Sequence, residues 1–265
     1  MVSNTKEFVS ASPRRQQLAR MVAERGFVRV ADASLELGVS EVTVRGDLTA
    51  LERAGSLVRV HGGAMPAAGS EPSLETSLDR DAAAKRAIGS AAARLVASGQ
   101  GVYLDAGSTA MAVARALVDR QDLHDLTVVT SGLTIALALE PAFPRFSVIV
   151  TGGTLRPLQH SLVSPFAMPM LESLHLDTAF IGCNGVHATG GVTNINVPEA
   201  EIKSRVLARA RRAVVVADGS KIGRTDLAVI GGVGQFHSLV TAGDAPAEAV
   251  AALRAAGLAV DRVDA

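Results

Sequence analysis

Tryptophan is absent from this chain, and one tyrosine with seven phenylalanines brings aromatics to only 3% of its 265 residues. So few rings exclude a stacking platform for single-stranded nucleic acid. Cys183 is the one cysteine, which excludes an internal disulfide and leads us to expect a reducing, cytoplasmic setting. An excess of charge is lacking as well: 26 basic side chains balance 26 acidic ones, so this is no polycation built to coat phosphate. No apolar run approaches the roughly 20 residues that span a bilayer, and the N-terminus has no basic segment followed by an apolar signal core. Its six histidines are scattered, so neither a metal site nor a cofactor is expected. What is present is 48% hydrophobic and 20% charged, too apolar for disorder and long enough for two modest domains.

The first part of the chain is organised around Val39-Ser40-Glu41-Val42-Thr43-Val44-Arg45-Gly46-Asp47-Leu48. Ser40 is a good N-cap, and Glu41 falls in the first turn, where the helix dipole favours an acid. Val44, Leu48 and Leu51 recur at helical spacing and share a buried face, with Val42, Gly46, Thr49 and Arg53 opposite. The spacing predicts helices over 14–25, 30–37 and 41–54, stopped by Gly26, Gly38 and Gly55. Gly38-Val39-Ser40 is then the tight turn of a helix-turn-helix. Residues 57–61 alternate like a strand and run into Gly62-Gly63, so three helices and a wing are expected over residues 1–65. Arg59 and His61, two apart, project from one face of the wing toward phosphate or a minor groove. This segment holds nine basic and seven acidic residues, a sign that suits DNA and a difference too small to decide. The plainer alternative is a three-helix bundle that binds protein.

Residues 66–80 hold Pro66, Gly69, Pro72 and four serines or threonines, and read as a linker. Beyond it, over residues 81–265, a helix (81–98) is followed by short apolar strands at 102–104, 126–129, 147–150, 178–181, 213–216 and 239–241. Helices at 110–118, 133–139, 198–210 and 247–256 alternate with them, the pattern of an α/β domain with a mainly parallel sheet. A small polar loop follows each of the first five strands. These are Asp105-Ala106-Gly107-Ser108-Thr109, Thr130-Ser131-Gly132, Thr151-Gly152-Gly153-Thr154, Gly182-Cys183-Asn184-Gly185 and Asp218-Gly219-Ser220-Lys221. Parallel strands gather such loops at one edge, where open α/β sheets bind ligands. The first loop opens a helix, so backbone N–H groups with the Ser108 and Thr109 hydroxyls can surround an anion, and Lys221 supplies charge. A phosphorylated small molecule fits this set. Any one such loop is ordinary turn structure; five on one edge make a candidate site.

With Arg15, Leu18, Gly38-Val39-Ser40, Thr43-Val44-Arg45, Asp47-Leu48 and Leu57-Val58-Arg59-Val60-His61-Gly62-Gly63-Ala64 in place, the first segment resembles the DNA-binding domain of the DeoR family of bacterial repressors. The second carries Asp105-x-Gly107-Ser108-Thr109, Gly152-Gly153, Ala179-Phe180-Ile181-Gly182, Glu201-x-Lys203 and Ala217-Asp218-x-Ser220-Lys221. It is similar to that family's sensor domain, itself related in fold to ribose 5-phosphate isomerase and CoA transferases. The resemblance implies a double-stranded DNA operator read by Arg15, Ser40, Val42, Thr43, Arg45, Arg53, Arg59 and His61. It implies a sugar-phosphate effector that weakens operator binding, and it adds Lys203 to the loop residues as an effector contact. Where the family usually has a second basic residue in the recognition helix, this chain has Gly46, which shifts base reading toward Val42, Thr43 and Arg45. Ser131-Gly132, Ser164-Pro165 and Ala242-Gly243 also depart from the usual pattern, and they bear on which sugar is bound.

Two rivals follow from the same residues. A sugar-phosphate isomerase needs a base to move a proton between adjacent carbons. The isomerases of this fold carry an acidic cluster after the fourth strand, where Gly182-Cys183-Asn184-Gly185 has no carboxylate. Glu199 and Lys203, four apart on a helix, read as a surface pair, and Cys183 as a small buried hydrophobe. No catalytic residue is expected. A pure assembly domain is the other rival, since one helix-turn-helix reads only a half-site and a homodimer or homotetramer is expected in any case. That reading leaves the five loops without a purpose.

Overall fold

The computed structural model describes residues 11–25, 27–60, 62–66 and 71–265, which fall into two compact units dividing between Pro72 and Ser73. In the first unit the order is α1 (Ala11–Arg25), β1 (Val28–Arg29), α2 (Val30–Leu37), α3 (Glu41–Arg53), β2 (Leu57–Val60) and β3 (Gly63–Pro66). Leu18 and Val22 of α1, Val44 and Leu48 of α3, and Leu57 of β2 meet in one core, each helix contributing a four-residue-spaced stripe. Gly38 ends α2 at φ 63°, a left-handed conformation that favours glycine and turns the chain into α3. β2 and β3 pair antiparallel, Arg59 opposite Ala64, and form the wing. β1 adds to β3 through Val28 opposite Ala64, a strand of two residues that is too short to leave a period in the sequence. Gly63 is required at that crossing, because a Cβ there would sit 2.2 Å from the Val28 carbonyl oxygen.

The second unit starts earlier than expected. Residues 74–79, inside the segment read as a linker, form α4 (Leu74–Asp79), capped by Ser73 accepting from the Thr76 N–H. Next come α5 (Ala82–Ala93), β4 (Gly101–Leu104), α6 (Ser108–Asp119), β5 (Leu126–Thr130), α7 (Leu133–Leu139) and β6 (Phe146–Val150). The middle of the unit is β7 (Thr154–Arg156), β8 (Ser161–Val163), α8 (Ala167–Glu172), β9 (Leu176–Ile181), β10 (Gly185–His187), β11 (Gly191–Asn194) and α9 (Val197–Arg209). The last elements are β12 (Ala210–Val216), β13 (Ala228–Gly231), β14 (Ser238–Ala242), α10 (Ala247–Ala255) and β15 (Ala259–Val263). α5 ends at Ala93, short of the expected residue 98, although Val96 beyond it is still buried.

Seven strands make one parallel sheet in the order β15-β14-β12-β9-β4-β5-β6. Successive side chains face opposite layers: Val102 and Leu104 pack with α5 and α6 on one side, Tyr103 with α9 on the other. Burial on both faces is why these strands are continuously apolar. The seventh strand, β15, escapes a search for apolar runs because Asp261 and Arg262 interrupt it at the sheet edge. β7–β8 and β10–β11–β13 form two small antiparallel ribbons, which begin at the ends of two of the glycine loops and run on through stretches where no strand is expected from the sequence. The chain winds outward from β4 through β5 to β6, then returns to β9 and winds the other way. The switch point between β4 and β9 is where such sheets open a crevice at their carboxyl ends.

The Leu48→Ala substitution removes a fully buried side chain from the first unit's core. It should lower that unit's stability by about 2–5 kcal/mol, read as a reduced denaturant midpoint for the loss of helix.

Candidate functional site

In the first unit the sequence places a small, polar face on α3, and the fold leaves it open. Ser40 caps the helix by accepting from the Thr43 N–H at 3.2 Å, and its hydroxyl meets the Thr43 hydroxyl at 2.9 Å. Val42 is 76% exposed, while Arg45 and Arg53 are exposed and Arg45 pairs with Glu41 one turn back at 2.6 Å. Arg59 of the wing leans onto the same face, its guanidinium donating to the Thr49 hydroxyl at 2.9 Å. Gly46 lies on that face with open space where a Cβ would be. Arg15 sits apart, bound to Asp47 at 2.9 Å and only half exposed. His61 lies outside the described residues.

Asp47 is the residue that sequence reasoning missed. It is buried on α3 between the Arg14 and Arg15 guanidiniums of α1, at 2.5 and 2.9 Å. Burial pushes its carboxyl up, but hydrogen bonds from the two arginines outweigh that and hold it below its ordinary value. The adjacent pair Arg14-Arg15 facing a lone acid on a predicted apolar stripe is the signal that points to it.

In the second unit the five loops meet at one edge, since β12, β9, β4, β5 and β6 are neighbours and all parallel. The switch-point loops are tied together beneath by a buried polar network. Asp105 accepts from the Ala106 and Gly182 N–H groups, both at 2.9 Å, and from the Lys203 ammonium at 3.0 Å. Lys203 also donates to the Gly182 carbonyl and the Asn194 side chain. Glu199, one turn before it on α9, accepts from Ser161 and Asn194 and forms an ion pair with Arg156. Glu199 and Lys203 are thus both buried, which corrects their reading as a surface pair. Burial works to strip the proton from Lys203, yet Asp105 and Glu199 outweigh it and keep the ammonium charged. For Glu199, burial is outweighed by Lys203, Ser161 and Arg156, and its pKa lies below the ordinary value. Asp105 is pushed up by burial against the pull of Lys203.

These residues divide into a foundation and a rim. Asp105, Thr130, Ser131, Lys203 and Asp218 are buried and already bonded: Thr130 accepts from the Gly132 N–H, Ser131 meets the Tyr103 hydroxyl, and Asp218 holds Ser220. Asn184 joins the foundation through its side-chain oxygen, which accepts from the Ile195 N–H at 3.0 Å. Gly107, Ser108, Thr109, Gly152, Gly153 and Lys221 are half-buried at the rim, and Ser220 is exposed. Gly107 opens α6 at φ 103° without a side-chain cap, leaving the first N–H groups of that helix to face the rim. Gly153 is enforced by the close approach of Val163, whose carbonyl oxygen would be 2.1 Å from a Cβ. Lys221 has no ion pair among the described residues. Tyr103, Arg156, Ser161, Asn194 and Glu199 are the members that spacing did not reveal, because three of them come from the two small ribbons. Cys183 packs against the apolar layer, and burial pushes its thiol up to about 12, far from a thiolate nucleophile. No three histidine, cysteine or acidic side chains cluster to hold a metal, and no helix is long and apolar enough to cross a membrane, among the described residues.

An exposed helix-turn-helix face on one unit and polar loops gathered at the sheet's switch point on the other suit a two-unit regulator. Residues 14–67 match the DeoR-like helix-turn-helix domain and residues 80–243 the DeoR C terminal sensor domain. The HTH-type transcriptional regulator GlpR of Haloferax volcanii is 32% identical over 93% of this chain and 96% of its own. The lactose phosphotransferase system repressor of Streptococcus mutans is 31% identical over 86% and 90%. A solved ribose 5-phosphate isomerase from Methanocaldococcus jannaschii is similar at 20% identity over 52% of each chain, with a TM-score of 0.38. The chain belongs to the DeoR family of transcriptional repressors, and it is regulatory rather than enzymatic.

Gly46→Arg restores a cation to an open helical position and removes a glycine that costs about 1 kcal/mol. The variant should bind DNA more tightly, with the slope of log affinity against log salt steeper by about 1 in a fluorescence titration. Lys203→Met leaves buried Asp105 without its cation, while Glu199 keeps Arg156 and Ser161, and should destabilise the second unit by about 3–5 kcal/mol near neutral pH. The Asp105 carboxyl, already raised by burial, then lies further above its unfolded value, so the deficit is largest above about pH 5 and shrinks on acidification. Unfolding curves from pH 4 to 8 check that sign.

Proposed function

We propose that the second unit binds a phosphorylated sugar at its loop edge, and that binding releases the first unit from an operator controlling carbohydrate metabolism. The observation that carries this reading is the division of the loop edge into a bonded foundation and an open rim. The foundation fixes Asp105 against Gly182 across the switch point, so the rim is preorganised rather than assembled by the ligand. At the rim, the N–H groups opening α6, the Ser108 and Thr109 hydroxyls and the Lys221 ammonium form the phosphate end. Gly107, Gly152 and Gly153 let the ligand approach the backbone, with Ser220 at the border. Lys203 acts from below by holding the loops, since its donors are already engaged. The name of the lactose phosphotransferase system repressor fits a sugar effector.

On the first unit, Val42, Thr43 and Arg45 read bases in the major groove, Val42 against a thymine methyl. Ser40, Arg53 and Arg59 contact phosphates, and Arg15 completes the contact while braced on Asp47. The protein acts in the cytoplasm as a homodimer or homotetramer, because one recognition helix reads one half-site. Effector release requires the ligand to favour the arrangement that does not fit the operator. The first unit and the second unit, from Ser73 onward, then serve as reader and switch.

A thermal-shift panel of sugar phosphates and their unphosphorylated parents tests the reading. One phosphorylated sugar at 100 times its dissociation constant should stabilise the second unit by about 2.7 kcal/mol, and its parent should not. Lys221→Ala should weaken that sugar phosphate tenfold or more while unliganded operator affinity stays within about twofold. Equal affinity in this variant, or equal response to the parent sugar, would reject the phosphate end.

A further inference from the structure

The two edges of the parallel sheet are built differently. β15 carries exposed Asp261 and Arg262, the kind of charge that keeps an edge strand from pairing. β6, Phe146-Ser147-Val148-Ile149-Val150, has no charge and no proline, and no further strand pairs with it among the described residues. Ile149 and Val150 are 37% and 38% exposed, and beside them Leu137 and Phe143 are 68% and 78% exposed. An apolar groove of about 1190 Å³ runs between α7 and this strand, with Glu140 the one charged residue on its wall.

The backbone decides what fits there. The Arg145 carbonyl accepts from the Leu126 N–H, and the Thr151 N–H donates to the Thr130 carbonyl, so odd-numbered residues of β6 turn their polar groups toward β5. Alternation then leaves the N–H and C=O groups of Phe146, Val148 and Val150 pointing outward. A second β6 related by a two-fold axis at Val148 runs antiparallel and sets Val148 opposite Val148, and Phe146 opposite Val150. Every outward donor then meets an outward acceptor, giving roughly six hydrogen bonds. The side chains of Phe146, Val148 and Val150 line the groove, so the partner's Leu137 and Phe143 are apolar knobs for a hole of the same kind.

We propose that two copies of this chain join through β6, making one continuous sheet across the dimer, with α7 packed against α7. A second apolar groove of about 810 Å³, between α9 and β13, has Glu201 and Arg205 on its wall and is less suited to a dry interface. The proposal rests on the pairing of copies set out above, and adds where they meet.

The full chain is tested by light scattering and by cysteine pairing. Val148→Cys places two thiols across the axis with Cα atoms about 5.5 Å apart, within disulfide reach. Ser147→Cys places them about 8 Å apart, beyond it. The native Cys183 is half-buried, and a Cys183→Ser background removes it from the reaction in both variants. Mild oxidation should convert most of the Val148→Cys chain to a covalent dimer and at least tenfold less of the Ser147→Cys chain. Val150→Lys and Phe143→Glu, both on exposed positions, should halve the particle mass at micromolar concentration with the circular dichroism spectrum unchanged. A wild-type chain that is a dimer or tetramer but shows no Val148→Cys dimer overturns the β6 interface and leaves pairing itself intact. A monomeric wild type overturns both. If the charged variants fail to fold, the cysteine pair alone decides.

Discussion

A lysine ammonium cannot stay charged inside a protein unless something there replaces its water, and Lys203 is 5% exposed. Three oxygens replace it: the Asp105 carboxylate, the Asn194 amide oxygen and the Gly182 carbonyl. These come from the ends of β4, β11 and β9, so one cation closes the switch point of the sheet and draws the small ribbon against it. Glu199 extends the same chain of bonds to Arg156 and Ser161 of the β7–β8 ribbon. The loop edge is thus braced by its own side chains: Lys203 is fully engaged beneath it, whereas Lys221 at the rim makes no ion pair among the described residues.

The first unit repeats this logic at smaller scale. Asp47, 3% exposed on the recognition helix, is neutralised by Arg14 and Arg15 of α1, which fixes the angle between the two helices. At the exposed wing, the Arg59 guanidinium donates to the Thr49 hydroxyl and the Arg59 backbone N–H to the Glu52 carboxylate, which ties β2 to α3. At Asp47, as at Lys203, a charge that leaves water is matched by partners from a different element. Such matches are what hold short helices and short strands in a defined relation where the apolar core, here ten small and medium side chains, is modest.

The parallel sheet adds a constraint of its own, because it must end. At β15 the sequence supplies Asp261 and Arg262 where a neighbour would otherwise dock. At β6 it supplies only phenylalanine, serine and aliphatic residues beside an apolar helix, and the outward hydrogen-bonding groups of this strand have a two-fold arrangement in which they would satisfy one another.

Periodicity, caps and glycine stops determined the helix-turn-helix nearly to the residue, and six of the seven parallel strands were legible because buried strands are apolar on both faces. The same local signals determined the rim: Ser108 and Thr109 open a helix whether or not the rest of the fold is known. The tertiary structure alone decided the foundation. Glu199 and Lys203 look like a solvent-exposed helical pair until α9 is laid under β4, and Arg156 and Ser161 lie on strands of three residues that leave no period to read. Asp47 leaves a trace in the sequence, as a lone acid beside an apolar stripe with Arg14-Arg15 upstream, but its burial between those two arginines is set by the packing of α1 on α3. The physical reason is common to all of these: a local pattern records which face of an element is apolar, whereas an ion pair between elements depends on distances that only packing creates.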